Sequence, residues 1–247
     1  METLLMAARW SAGEFEKKVL DLKPAVAVFD CDGTLWTIDS GMGFMEWSIE
    51  QGLVSRSTSD WIDTRYRGYR AGDVSELAIC GEMVQIYAGL REDELRKAAA
   101  EYVREHVRPI VFPEMERLVA ALHKAGTELW AVSSTNKWVI AEGVREFGIP
   151  ESRVLAVDLA VDHGVLTSTL IDVPTDEGKA EALKRAGRPR PDAVFGNSIH
   201  DLAMLEIAAN PFPVNPTAQL HEAIASRGWS YFQPEHVEHP AEPVVTQ

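Results

Sequence analysis

Apolar and polar positions along the chain fall into two regimes. After Pro24, residues 25–29 form an unbroken apolar run that ends in Asp30-Cys31-Asp32-Gly33-Thr34. Such a run predicts a strand buried on both faces, as in a parallel sheet. Similar runs at 129–132, 154–157 and 193–195, and a short segment at 212–216, predict further core strands. Helical spacing fills most of the intervals. A stripe of Leu4, Leu5, Phe15, Val19 and Leu20 predicts a helix over 1–22. Pro113 opens another, with Met115, Leu118, Val119 and Leu122 on its apolar face and Gly126 as its stop. Further helices are expected at 137–147, from Asp176-Glu177-Gly178-Lys179, and at 217–225. Asp162-His163-Gly164 sits between two alternating runs and predicts a hairpin turn, with His163 a turn residue.

From 36 to 112 the strand pattern stops and four helical patterns replace it. They cover 44–53, 57–69, a stretch opened by Asp73-Val74-Ser75-Glu76 as a capping sequence, and 92–107, which Pro109 ends. The expected architecture is α/β: a Rossmann-like, doubly wound parallel sheet core (1–35 and 113–232) with an inserted all-helical domain (36–112). Residues 233–247, rich in Pro, Glu and His, read as a tail.

Composition narrows the function. A hydrophobic share of 46% over 247 residues supports a real core. The net charge of −14, from 24 basic and 38 acidic residues, argues against nucleic acid as a partner. Cys31 and Cys80 show neither metal-ligand spacing nor a disulfide framework. No apolar leader and no run long enough to span a bilayer is evident, so the expectation is a cytoplasmic monomer or homodimer with no membrane partner.

The candidate chemistry gathers where strands end. Asp30 and Asp32 lie at the carboxyl edge expected for ligand binding in open α/β sheets, one residue apart and able to face the same side. Two carboxylates this close need a cation or a shared proton, which points to a metal or to a nucleophile paired with an acid/base. Gly33 lets the backbone turn and approach a ligand. The run Ser133-Ser134-Thr135-Asn136 offers hydroxyls and helix N-terminal amides to a phosphate, or simply caps the next helix. Lys179, in the first turn of a helix where the dipole favours negative charge, either points to solvent or neutralises an anion. Asn197 and Asp201 follow the strand at 193–195. His200 is expected on a helix surface.

In order, Asp30-x-Asp32-Gly33-Thr34, Ser133, Lys179 and Asn197/Asp201 resemble the four motifs of the haloacid dehalogenase superfamily. The helical insertion after the first motif resembles its C1 cap. Gly72-Asp-Val-Ser-Glu followed by Ala88-Gly89-Leu90 resembles the phosphoserine phosphatase-like branch (subfamily IB). The resemblance implies a Mg²⁺-dependent phosphomonoester hydrolase acting on a small phosphorylated metabolite through an aspartyl-phosphate. Asp30 is the implied nucleophile and Asp32 the acid/base, which favours phosphoryl chemistry because dehalogenating members lack that second Asp. Gly33, Ser133, Ser134 and Lys179 are the implied phosphate ligands, and Asp30, Asp32, Asn197 and Asp201 the implied metal site. Asp39 is implied near a substrate amine or else caps a helix or loop, and Arg70, in the segment 65–70, either meets a substrate carboxylate or lies on a solvated helix face. Asn197 departs from the pattern, which has an acid there, so the site loses one negative charge and weaker metal binding is expected. Two alternatives stay open: a non-catalytic phosphate-binding or regulatory protein, and a phosphotransferase to an acceptor other than water. The aromatic residues Trp36, Trp47, Trp61, Tyr66 and Tyr69 are expected mainly in the cap core, with a cation-binding pocket as the other possibility.

Overall fold

A computed structural model describes residues 7–235. Among the described residues the first element is a short strand β1 (Arg9–Trp10), and helix α1 (Ala12–Leu22) follows behind a reciprocal Ser11/Glu14 capping box. Among the described residues the expected helix spans only Ala12–Leu22, and Leu4 and Leu5 lie outside the described residues. Phe15 and Val19 are its buried stripe.

The apolar run after Pro24 forms β2 (Val26–Phe29). Helices α2 (Ser40–Glu50), α3 (Arg56–Ala71), α4 (Glu76–Gln85) and α5 (Glu92–Tyr102) come next and contribute no strand to the sheet. Asp39, Ser55 and Ser75 accept from backbone amides at the N-termini of the first three. The fourth runs on into a wider turn over Val103–Val107 before Pro109 breaks the pattern. The two ends of this helical segment are tied together: Thr37 N donates to Ile110 O at 3.2 Å and Phe112 N to Leu35 O at 2.9 Å.

The sheet then resumes. Helix α6 (Pro113–Lys124) leads to β3 (Glu128–Asn136) and α7 (Lys137–Arg145), whose N-terminal amides are capped by Asn136. Strands β4 (Val154–Asp162) and β5 (Val165–Asp172) form the expected hairpin. His163 (φ 48°) and Gly164 (φ 78°) take the left-handed conformations that a two-residue hairpin turn requires. Helix α8 (Glu177–Arg185), β6 (Ala193–Gly196), α9 (Leu202–Ile207), β7 (Asn210–Pro213), α10 (Ala218–Ser226) and β8 (Tyr231–Phe232) complete the fold.

The main sheet has the order β5-β4-β3-β2-β6-β7, parallel except for the β4–β5 hairpin, and a separate two-stranded pair joins β1 to β8. From β2 the chain winds outward through β3 and β4, then returns to lay β6 on the other side. The carboxyl ends of β2 and β6 thus flank the switch point where open α/β sheets bind ligands. The β4–β5 edge is covered by the helical segment: Gly89 N donates to Leu166 O, Leu166 N to Leu90 O and Glu92 N to Gly164 O. Among the described residues no helix is long and apolar enough to cross a membrane.

Candidate active site

At the switch point the backbone of Asp30 donates to Phe195 O at 2.9 Å, which sets the end of β2 against the end of β6. The Asp30 carboxylate is gripped on both oxygens. Oδ1 accepts from Lys179 Nζ at 2.8 Å and Oδ2 from Thr34 Oγ1 at 2.9 Å. Lys179 also donates to Asp201 Oδ1 at 2.5 Å. The other Asp201 oxygen accepts from the Asn197 and Ser198 backbone amides and the Ser198 hydroxyl. Asp30, Lys179 and Asp201 are only 4%, 2% and 0% exposed, so these charges interact with little screening by water. Of the two readings of Lys179, the structure selects the neutraliser.

The electrostatics follow from that burial. Burial first, then the Asp201 charge, pushes the Asp30 carboxyl up to about 7, although Lys179 pulls it down. Burial would favour loss of the Lys179 proton. The Asp201 and Asp30 carboxylates outweigh it and hold the ammonium above its ordinary range. The Cys31 thiol, buried beside them, is pushed well up and is not a nucleophile here.

Asp32 is held by four donor atoms. Trp36 Nε1 (2.6 Å), Ser40 N (2.9 Å) and Ser40 Oγ (2.6 Å) reach Oδ1, and Thr135 Oγ1 reaches Oδ2 at 2.7 Å. Gly33 (φ 75°) turns the chain between the two acids, and a Cβ there would lie 2.0 Å from the Asn197 amide nitrogen. Only glycine allows Asn197 to lie across this loop.

These groups border a cavity of about 440 Å³ roofed by the helical segment. Asp30, Asp32, Gly33, Ser133, Ser134, Lys179 and Asn197 all reach its wall, and so do Asp39 and Arg70. The structure thus brings the sequence-derived residues together, with Asp201 just behind Lys179. Ser133 Oγ accepts from Thr135 N at 3.1 Å, and Ser134 Oγ donates to Pro174 O at 3.2 Å. Asp39 caps α2 while facing the cavity. Burial, then the Asp32 charge, with a smaller push from Glu76, raises its carboxyl to about 6.

Three expectations are corrected. His200 is not only at the surface: its side chain is 32% exposed, and it also lines the cavity, with Nδ1 2.7 Å from Asp176 Oδ1. Trp36 is not part of the cap core: it is fully buried at the junction, where it binds Asp32 and packs against α7 at Gly143. Trp61 is 43% exposed rather than packed. Sequence reasoning missed Ser40, gave Thr135 only as a phosphate or capping hydroxyl, and gave Glu76 only a capping role. Only a hydroxyl shortly after the acidic pair could have flagged Ser40. The other two come from distant segments.

The oxygen-only donor set suits a hard divalent cation. Asp30 and Asp201 share the Lys179 ammonium and the half-buried Asp32 carboxylate lies beside Asp30, an acid-rich set that fits a cation. Among the described residues, however, no three His, Cys, Asp or Glu side chains are arranged to hold a metal by themselves. A metal there would draw on the Asn197 amide, backbone carbonyls or water as well.

Comparison with known proteins agrees with this arrangement. The family model described as haloacid dehalogenase-like hydrolase matches residues 27–206. A histidinol-phosphatase of Neisseria meningitidis serogroup C (strain 8013) is 28% identical over 215 residues, covering 83% of this chain and 96% of the relative. A protein of Bordetella pertussis Tohama I shares the fold with a TM-score of 0.74 at 24% identity, over 84% of this chain and 97% of the other. A phosphoserine phosphatase in a phospho-aspartyl intermediate analogue state shares it at 0.57 and 15% identity, over 86% and 94%.

Proposed function

The chain belongs to the haloacid dehalogenase-like hydrolases, and on that premise we propose that it is a phosphatase that hydrolyses a small phosphomonoester through an aspartyl-phosphate at Asp30. The observation that carries this reading is the buried Asp30–Lys179–Asp201 chain, whose Asp30 and Lys179 reach the cavity wall. It holds a carboxylate nucleophile in place beside a fixed positive charge.

In the first step an Asp30 oxygen attacks phosphorus and the ester P–O bond breaks. Asp32, protonated, gives its proton to the leaving alkoxide. In the second step water attacks the same phosphorus, the acyl phosphate bond breaks and Asp32 takes the water's proton. Dividing one hard displacement into two is covalent catalysis. Lys179 and Ser133 stabilise charge on the transferring oxygens. The four donors on Asp32 fix its direction, and Thr135 on Oδ2 can either donate to the carboxylate or accept from the acid. Mg²⁺, held by Asp30, Asp32, Asn197 and Asp201, would supply charge that offsets the repulsion between a carboxylate and an anionic substrate.

Asn197 favours a second reading, phosphate binding without turnover, because it removes a charged ligand from that set. Release of inorganic phosphate from a panel of small phosphomonoesters separates the two. The panel includes histidinol phosphate, after the Neisseria relative, and is run with and without Mg²⁺ on the wild type and on Asp30→Asn. Metal-dependent release that disappears in the variant supports the phosphatase. Binding of the esters without release supports the second reading.

A further inference from the structure

The donors around Asp32 are unevenly shared between its two oxygens. Oδ1 takes three of them: Trp36 Nε1 at 2.6 Å, Ser40 N at 2.9 Å and Ser40 Oγ at 2.6 Å. A carboxylate oxygen offers about two lone-pair sites, so Oδ1 has none to spare. Oδ2 takes only the Thr135 hydroxyl, at 2.7 Å. It keeps a free site, and Asp32 borders the cavity.

The Trp36 indole has little freedom to leave Oδ1. Its backbone carbonyl accepts from Gly33 N at 2.8 Å, and the residue bridges to Val111 across the junction. The far edge of the ring abuts α7, where a Cβ on Gly143 would lie 2.9 Å from Trp36 Cη2. Trp36 and Ser40 are both 0% exposed, so water does not compete for their bonds to the carboxylate. Neither residue lines the cavity. What they act on is Asp32, not a substrate.

We propose that Trp36 and Ser40 are positioning residues for protonation of the leaving group. By occupying Oδ1 they aim Oδ2 at the leaving oxygen. As the ester P–O bond breaks, its electron pair stays on that oxygen, which takes the proton from Oδ2. The proposal rests on the phosphatase reading and adds to it which oxygen of Asp32 acts and what aims it.

Leaving groups that need a proton, set beside one that does not, separate this role from a structural one. The test measures kcat/KM for the best alkyl phosphate and for p-nitrophenyl phosphate with the wild type, Trp36→Phe and Ser40→Ala. An alkoxide is too basic to leave without a proton, whereas p-nitrophenolate leaves unaided. A misdirected acid therefore slows the alkyl ester more than the aryl ester. The ratio of alkyl to aryl kcat/KM should fall in both variants, and by about tenfold in Trp36→Phe, the scale of one hydrogen bond to a charged group. A variant that only loosens the fold lowers both values together and leaves the ratio where it was. An unchanged ratio in either folded variant overturns the proposal while the phosphatase reading stands. Ser40→Ala removes one small hydroxyl and decides the question if Trp36→Phe does not fold. No phosphate release from either ester by the wild type overturns the phosphatase reading, and this proposal with it.

Discussion

Lys179 is a buried cation shared by two buried acids, Asp30 and Asp201. Removing one member of such a group leaves uncompensated charge, so Lys179→Met should cost about 3–5 kcal/mol in urea unfolding above neutral pH. The sign of the pH effect follows from Asp30. Its folded value of about 7 lies above its ordinary 3.8. The folded state therefore holds a proton that the unfolded chain has lost, and the associated stability, present below about pH 4, is lost as pH rises to about 7. Without Lys179 that carboxyl is pushed higher still. The variant's deficit should then be smaller near pH 5 than near pH 8, and a deficit independent of pH would contradict the arrangement. Asn197 tests the other side of the charge balance. Restoring an acid with Asn197→Asp should lower the Mg²⁺ concentration for half-maximal activity by about tenfold, the scale of one added charge close to the ion. An unchanged titration would place Asn197 outside the metal's reach.

At the scale of elements, α2 links the helical segment to the chemistry. Its cap Asp39 faces the cavity, and its first residue, Ser40, holds Asp32 through both backbone and hydroxyl. Its seat on α5 depends on Gly43, where an added Cβ would meet the Tyr102 hydroxyl at 2.2 Å. Tyr102 is buried among Phe44, Trp47 and His106 and has little room to yield. Gly43→Ala should therefore lower stability by about 1–2 kcal/mol, overpacking outweighing the gain in helix propensity. Increased thermal stability would show that the ring moves aside. The elements themselves were readable because their causes are local. The apolar run before Asp30 forms β2, Pro113 starts α6, and His163-Gly164 makes the turn. The Asp30, Lys179 and Asp201 meeting was readable only through a resemblance in motif order, since it joins three separate segments of the chain. The approach of His200 Nε2 to within 3.9 Å of Glu76 Oε2 was not readable, because nothing near either residue signals a partner so far along the chain. Asp176, itself at φ 50°, meets the His200 ring from a segment well before it in the chain.

Over the whole molecule one hydrophobic cluster runs without a break from Val19 and Phe29 in the sheet core to Phe44, Ile62 and Leu95 in the helical segment. With the β4–β5 hairpin clamped to the α4–α5 connection, the two parts share their core. Urea unfolding followed by tryptophan fluorescence and by far-ultraviolet circular dichroism should give one coincident transition. Two separated transitions would mean that the helical segment unfolds on its own. The net charge of −14 has a local consequence as well. For an acidic protein to take an anionic phosphoryl group, cations must reach the cavity, and Lys179 and Arg70 are on its wall. The most direct test of the account is to quench the enzyme in acid during turnover of its best phosphomonoester and map the phosphoryl group by mass spectrometry. The account requires it on the peptide containing Asp30, and absent from Asp30→Asn. Phosphate release with no phosphoryl adduct on that peptide, or release that persists in Asp30→Asn, would contradict it.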